Sequence, residues 1–292
     1  MIPIGDIKVE QFVAKNKKRL DLLSKNILNR LKTIPKVGLS DKEETFLQDI
    51  IIFFEHENFF SVKLENVIKA LGTAPTPNIK NLIFEKFEYE SRRNDLLPDF
   101  FNYLGLKVCI YCHSQLALTF KGKGDKFKAL LEADHYRSKN KYPYLSVSLF
   151  NLFPVCGNCN RNKGSHKVDF NLYSNDQPND IIKFKIKDKS IIEDFLNFSA
   201  TKLEFEISYN EDYINRFQLK EIYNTQIDII EELVYKSKVY NNTYRENLKT
   251  YGIDEDTINR FIVGNYTSES DVYKRPLAKM MTDIAKDLDL IK

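Results

Sequence analysis

The sequence predicts an α+β chain: a helical N-terminal region, a central module bounded by cysteine pairs, and a mostly helical C-terminal region with two strands. Three observations carry this. Apolar residues recur at helical spacing over most of residues 1–104 and again beyond 217. The four cysteines fall as two CxxC pairs, Cys109/Cys112 and Cys156/Cys159, with none left over. Two short segments, 182–187 and 203–207, alternate apolar and charged residues. The expected boundaries are 1–104, 105–170 and 171–292.

In the first region, Phe12, Val13, Leu20, Leu23, Ile27 and Leu31 mark a helical pattern over 9–31. Ser40 followed by Glu43 has the form of a capping box and opens a second pattern. Gly72, Pro75 and Pro77 interrupt the chain before a helix over 82–93. In the C-terminal region the spacing predicts a long helix over 217–248, then shorter ones over 254–263 and 277–288.

Composition narrows the class. Hydrophobic residues make up 42% of the 292 and charged residues 29%, the balance of a folded globular chain. The start, MIPIGDIKVEQF, lacks the basic stretch and long apolar run of a secretory signal. The longest purely apolar run, Ile50 to Phe54, is far too short to span a bilayer, so no membrane association and a cytoplasmic location are expected. Charge is unevenly spread. Between Phe101 and Lys167 eleven Lys/Arg face three acids, a net +8, against −5 elsewhere in a chain of +3. A basic window around a cysteine cluster suits a polyanionic partner, although a solvated lysine-rich surface would look the same.

In a reducing compartment two CxxC pairs favour metal over disulfide, and four thiolates satisfy a tetrahedral Zn²⁺ with no open position, which makes the zinc structural. Between the pairs lie Asp134-His135 and Asn151, and directly after the second pair come Asn160, Arg161, Lys163 and Gly164. Asp134 and the amide oxygen of Asn160 are hard oxygen ligands suited to Mg²⁺ or Mn²⁺. His135, with an ordinary pKa near 6.5, can take a proton from an attacking water. Lys163 and Arg161, expected at the start of a helix, are candidate phosphate contacts, as is Lys139. His113 and His166 read as solvent-facing, and His56 as a packing residue among Phe53, Phe54 and Phe59.

This order of CxxC, Asp-His, Asn, then CxxC followed at once by Asn with Lys-Gly close behind resembles the HNH (His-Me finger) endonucleases over about 60 residues. The resemblance implies a zinc-stapled ββα-metal fold and a product with a 5′-phosphate. It implies His135 as general base, Asp134 and Asn160 as ligands of the catalytic metal, and Asn151 as the residue that ties down the loop orienting the base. Two departures stand out: no proline follows three positions after His135, and the last motif position is Asn160 rather than His. The stretch Lys141-Tyr-Pro-Tyr-Leu-Ser-Val-Ser-Leu-Phe-Asn-Leu also resembles HNH effectors of bacterial anti-phage systems, among them the Septu type, which act with an ATPase partner. Hydrolysis of phosphodiester bonds, in DNA, is the expected activity. A restriction-type sequence-specific enzyme and a non-catalytic zinc-dependent nucleic-acid-binding or assembly subunit are the alternatives. The apolar face from Phe217 to Val234 and the segment from Pro276 to Ile284 are expected either to dock a protein partner or to pack inside the chain's own core.

Overall fold

The computed structural model describes residues 2–176, 182–197 and 203–291. The described residues fall into two compact units that interleave along the chain. The first gathers those of 3–106 and 117–177, the second those of 1–2, 107–116 and 178–292. The grouping differs from the expected division at 104 and 170, and packing within the first unit supplies the reason.

In the first unit, α1 (Ile7–Lys15) and α2 (Lys17–Leu31) replace the single pattern expected over 9–31. They are followed by α3 (Asp41–His56), α4 (Leu64–Leu71), α5 (Pro77–Lys86), α6 (Tyr89–Asp95) and α7 (Leu97–Leu104). The capping box opens α3: the Glu43 carboxylate accepts from the Ser40 amide and from its hydroxyl, each at 2.8 Å. It also accepts from Thr76, the N-cap of α5, and from Asn78 at 3.3 Å, so one carboxylate ties two helix starts together. These donors hold its pKa down at about 2. Aromatic rings fill the core between the helices. Phe54 stacks on Phe59 at 3.7 Å, and Phe59 meets Phe87 edge-on at 5.0 Å.

Four short strands follow: β1 (Leu118–Lys121), β2 (Phe127–Leu130), β3 (Glu132–His135) and β4 (Leu152–Val155), then α8 (Gly157–Lys163). β1 pairs antiparallel with β2, and β3 with β4. The loop 136–151 between β3 and β4 packs against the N-terminal helical region. Tyr144 Oη donates to Gly72 O at 2.6 Å, Ala74 N to Lys141 O at 2.9 Å, Ser148 Oγ to Val62 O at 3.1 Å and Leu149 N to Phe60 O at 2.9 Å. The region expected to stand apart as 1–104 therefore shares one core with the strands that carry Asp134 and His135.

The second unit holds the two alternating strands where the sequence places them. In β5 (Lys183–Ile186), Phe184 and Ile186 are buried and Lys183 and Lys185 exposed. After α9 (Ile191–Leu196) comes β6 (Phe205–Ser208), antiparallel to β5 with Phe184 opposite Ile207. The chain continues through α10 (Glu211–Arg216), α11 (Leu219–Asn224), α12 (Ile227–Val239), α13 (Asn242–Thr250), α14 (Glu255–Val263) and α15 (Ala278–Asp287). Two acids of α15 satisfy the open edge of β5: Asp283 accepts from Phe184 N at 3.1 Å and Asp287 from Ile186 N at 3.0 Å.

The long helix expected over 217–248 is instead three helices, α11, α12 and α13. Gln218 adopts the left-handed conformation, the chain turns at 225–226, and Asn241 caps a new start with its side chain on Tyr244 N. The apolar face is real but internal. Phe217, Leu219, Ile230, Leu233 and Val234 are all at most 1% exposed, and Ala278, Met280 and Ile284 are fully buried. Of the two roles expected for these faces, the structure gives them the internal one. No helix among the described residues is long and apolar enough to cross a membrane.

Candidate active site

The β3–β4 ladder runs from Glu132 opposite Val155 to His135 opposite Leu152, and α8 follows β4 directly, so the chain forms a β-β-α succession here. Alternation along β3 puts Glu132 and Asp134 on one face of the strand. Asn160 and Lys163 sit one turn apart on α8 and therefore share one side of it. The two sides meet. Asn160 Nδ2 donates to Glu132 Oε2, which commits the amide nitrogen rather than its oxygen. Lys163 Nζ donates to Asp134 Oδ1 at 3.1 Å and to His135 O at 2.8 Å.

That last arrangement corrects the expectation for Lys163. It is the last residue of α8, not near its start, and it is 1% exposed. Its ammonium lies against a carboxylate that is itself nearly buried, where an unpaired charge of either sign would be costly. It is a partner of Asp134 and is not presented to a nucleic-acid backbone. Arg161, on the outer side of the same helix, is exposed and donates to Asn158 Oδ1 at 3.1 Å. Lys139 lies half-buried over the rings of Phe84 and Tyr89, at 4.7 and 5.2 Å. Burial is the largest influence on its pKa, which is lowered.

His135 is buried, with its ring 5.0 Å from that of Tyr89. Its Nε2 lies 3.0 Å from the carbonyl oxygen of Ser146. A carbonyl only accepts, so Nε2 carries the proton and Nδ1 keeps its lone pair. Burial first, then the positive charge of Lys139, push the imidazole pKa down to about 3, against the opposing pull of the Ser146 hydrogen bond. The ring is neutral throughout the physiological range.

Asn151 is fully buried at the end of the 136–151 loop and closes it from three directions. Its Nδ2 donates to Arg137 O and to Leu145 O, each at 3.0 Å, and its Oδ1 accepts from Arg137 N at 2.7 Å. Its backbone carbonyl accepts from Tyr136 N at 2.9 Å. Leu145 is the residue before Ser146, so this amide fixes the segment whose carbonyl holds His135.

Glu132, Asp134, His135, Lys139 and Asn160 line one cleft of about 360 Å³, together with Tyr89, Glu90 and Arg93 from α6. Sequence reasoning missed three contributors: Glu132, the Ser146 carbonyl and the α6 wall. Only Glu132 left a signal, its place two residues before Asp134.

The Sγ atoms of Cys109, Cys112, Cys156 and Cys159 all lie within 4.8 Å of one another. A tetrahedron with Zn–S bonds of about 2.3 Å requires separations of roughly 3.8 Å, so the thiol set fits a zinc ion. Within the second unit the first knuckle is held by its backbone: Tyr213 Oη donates to Tyr111 O at 3.0 Å and Tyr223 Oη to Cys112 O at 2.8 Å. The other histidines depart from expectation in two cases. His113 is 2% exposed, placed inward by a left-handed backbone and packed on Tyr273, with no hydrogen-bond partner for either ring nitrogen among the described residues. His56, at the end of α3, is exposed rather than packed among its neighbouring phenylalanines, and His166 is exposed as expected.

No family model matches the chain, and no solved structure matches it. A curated relative does so over a limited stretch: the chain is 36% identical over 58 residues to the Septu protein PtuB of Bacillus thuringiensis, a match that spans a fifth of each protein's length.

Proposed function

We propose that the cleft is the active site of a metal-dependent HNH-type endonuclease acting in bacterial anti-phage defence. The observation that carries the reading is His135: a buried, neutral imidazole, its Nε2 committed to a main-chain carbonyl, in one cleft with Glu132, Asp134 and Asn160. A structural histidine has no need of a carboxylate pair and an amide around it, whereas a general base beside a cation site does.

Asp134 and Asn160 are the residues that would hold Mg²⁺ or Mn²⁺, which would neutralise the phosphate and stabilise the departing 3′ oxygen. Glu132, hydrogen-bonded to the Asn160 amide nitrogen, orients that side chain so that its oxygen is the ligand atom. Lys163 holds Asp134 in place by bridging its carboxylate to the His135 carbonyl. Nδ1 of His135 accepts a proton from water as the water oxygen attacks phosphorus. The P–O3′ bond breaks and the departing 3′ oxygen takes a proton from solvent water, leaving a 5′-phosphate and a 3′-hydroxyl, while the proton on His135 passes to solvent. Asn151 holds the loop whose Ser146 carbonyl keeps the imidazole in the required tautomer. Zinc on the four cysteines has no open position and serves folding only.

The defence role rests on the likeness to the Septu protein, and an ATPase partner belongs to the same proposal. Incubation of the purified chain with plasmid DNA tests the activity. Nicked or linear product with Mg²⁺ or Mn²⁺, and none with excess EDTA, is the expected outcome; no cleavage under any metal, alone or with a co-purified ATPase, overturns it.

A further inference from the structure

The β1–β2 hairpin departs from the usual pattern of a ribbon with one face packed. Its register places Leu118 opposite Leu130 and Phe120 opposite Lys128 on one face, and Thr119 opposite Ala129 and Lys121 opposite Phe127 on the other. Phe127 and Ala129 line a second cavity of about 410 Å³ with Leu97, Pro98 and Phe101 of α7. With that face packed, the opposite one should be polar. Instead Phe120 is 43% exposed and Leu130 65% exposed.

The same hairpin carries Lys121, Lys123, Lys126 and Lys128, with a single acid, Asp125. Asp125 engages Lys121 at 3.0 Å, and Lys123, Lys126 and Lys128 meet no carboxylate among the described residues. Arg93 and Ala133 line both this cavity and the His135 cleft, so the two lie side by side. An exposed aromatic opposite Lys128, with Lys123 and Lys126 in the turn that joins the two strands, fits a polyanion that also carries flat π faces. A protein surface would have to leave those ammonium groups desolvated or supply acids for each, whereas a nucleic-acid strand supplies a phosphate per residue.

We propose that the β1–β2 hairpin grips a single-stranded nucleic-acid segment, with Phe120 stacked on a base and Lys126 and Lys128 on flanking phosphates. The segment continues past Arg93 and Ala133 toward His135; this direction rests on the endonuclease reading, while the binding itself does not.

The test is fluorescence anisotropy of the full chain carrying His135→Ala, so that the strand is not cut. The probes are a labelled 20-nucleotide DNA strand, the RNA strand of the same sequence and the DNA duplex, each titrated over a range of salt. Lys126→Glu with Lys128→Glu should weaken single-strand binding at least about tenfold and flatten the salt slope by about 1.4, or 0.7 per phosphate lost. Phe120→Ala should weaken it about tenfold with the slope unchanged, and Phe120→Tyr should restore it. Tighter binding of either single strand than of the duplex supports the proposal and identifies the nucleic acid. Folded variants that match the parent in affinity and slope overturn it, as does a parent that binds none of the three. Cleavage is read separately with His135 intact: if that chain cuts nothing although the His135→Ala chain binds through the hairpin, the endonuclease reading alone is overturned. If it cuts plasmid equally with and without the hairpin substitutions, the hairpin proposal alone is overturned.

Discussion

At the scale of single residues the account depends on who holds whom. That Asp134, His135 and Asn160 share one cleft, and that Asn151 ties down the loop beside it, was legible, because a carboxylate, an imidazole and two amides stand in a fixed order around the CxxC pairs. Lys163 was not legible. A lysine followed by glycine reads as a phosphate contact, and only the packing of α8 on β3 shows its ammonium buried against Asp134. Glu132 was legible in part, since its spacing from Asp134 puts both on one strand face. Asn151 makes the sharpest prediction here. Asn151→Ala leaves the buried Leu145 carbonyl and the part-buried carbonyl and amide of Arg137 without their partner. Buried groups left unsatisfied cost about 1–3 kcal/mol each, so the variant should lose on the order of 3 kcal/mol in urea unfolding together with cleavage. A variant as stable and as active as the parent would mean that the loop holds Ser146 without it.

Among elements, the capping box of α3 and the two alternating strands could be read directly, because each is a local pattern with one physical solution. The long helix over 217–248 could not, since its apolar spacing continues across turns set by Gln218 and Asn241. Glu43 shows what a local pattern leaves out: its carboxylate also accepts from Thr76 and Asn78, far along the chain. Those donors, with the Ser40 amide and hydroxyl, depress its pKa to about 2 from an ordinary 4.5. A depressed carboxylate contributes stability in full above its unfolded pKa, and the contribution is lost as pH falls through the folded value. Glu43→Gln keeps the capping geometry but cannot titrate. The melting-temperature advantage of the parent over this variant should therefore be constant above pH 5 and shrink between about pH 4.5 and 2. An advantage that does not change with pH would show that the carboxylate charge plays no part.

For the whole molecule, the gathering of the four thiols was legible in cysteine arithmetic, but the division of the chain was not. Sequence character changes near residue 105, yet the 136–151 loop packs into the core of the N-terminal helices, which no local pattern announces. The clustering of the four thiols predicts one zinc per chain in protein purified without added metal. Cys159→Ser should lose that zinc and lower the melting temperature; a stoichiometry near zero in the parent would remove the structural-metal assignment. The central claim is that His135 is the base of a phosphodiester hydrolase, and the measurement that meets it most directly is plasmid cleavage by the parent and by His135→Ala at saturating Mg²⁺ or Mn²⁺, with zinc content and circular dichroism checked in parallel. Removal of a general base costs roughly 10²–10⁴-fold. The expected result is a loss of that size with zinc and fold unchanged; a folded, zinc-loaded His135→Ala protein that cleaves at the parent rate would contradict it.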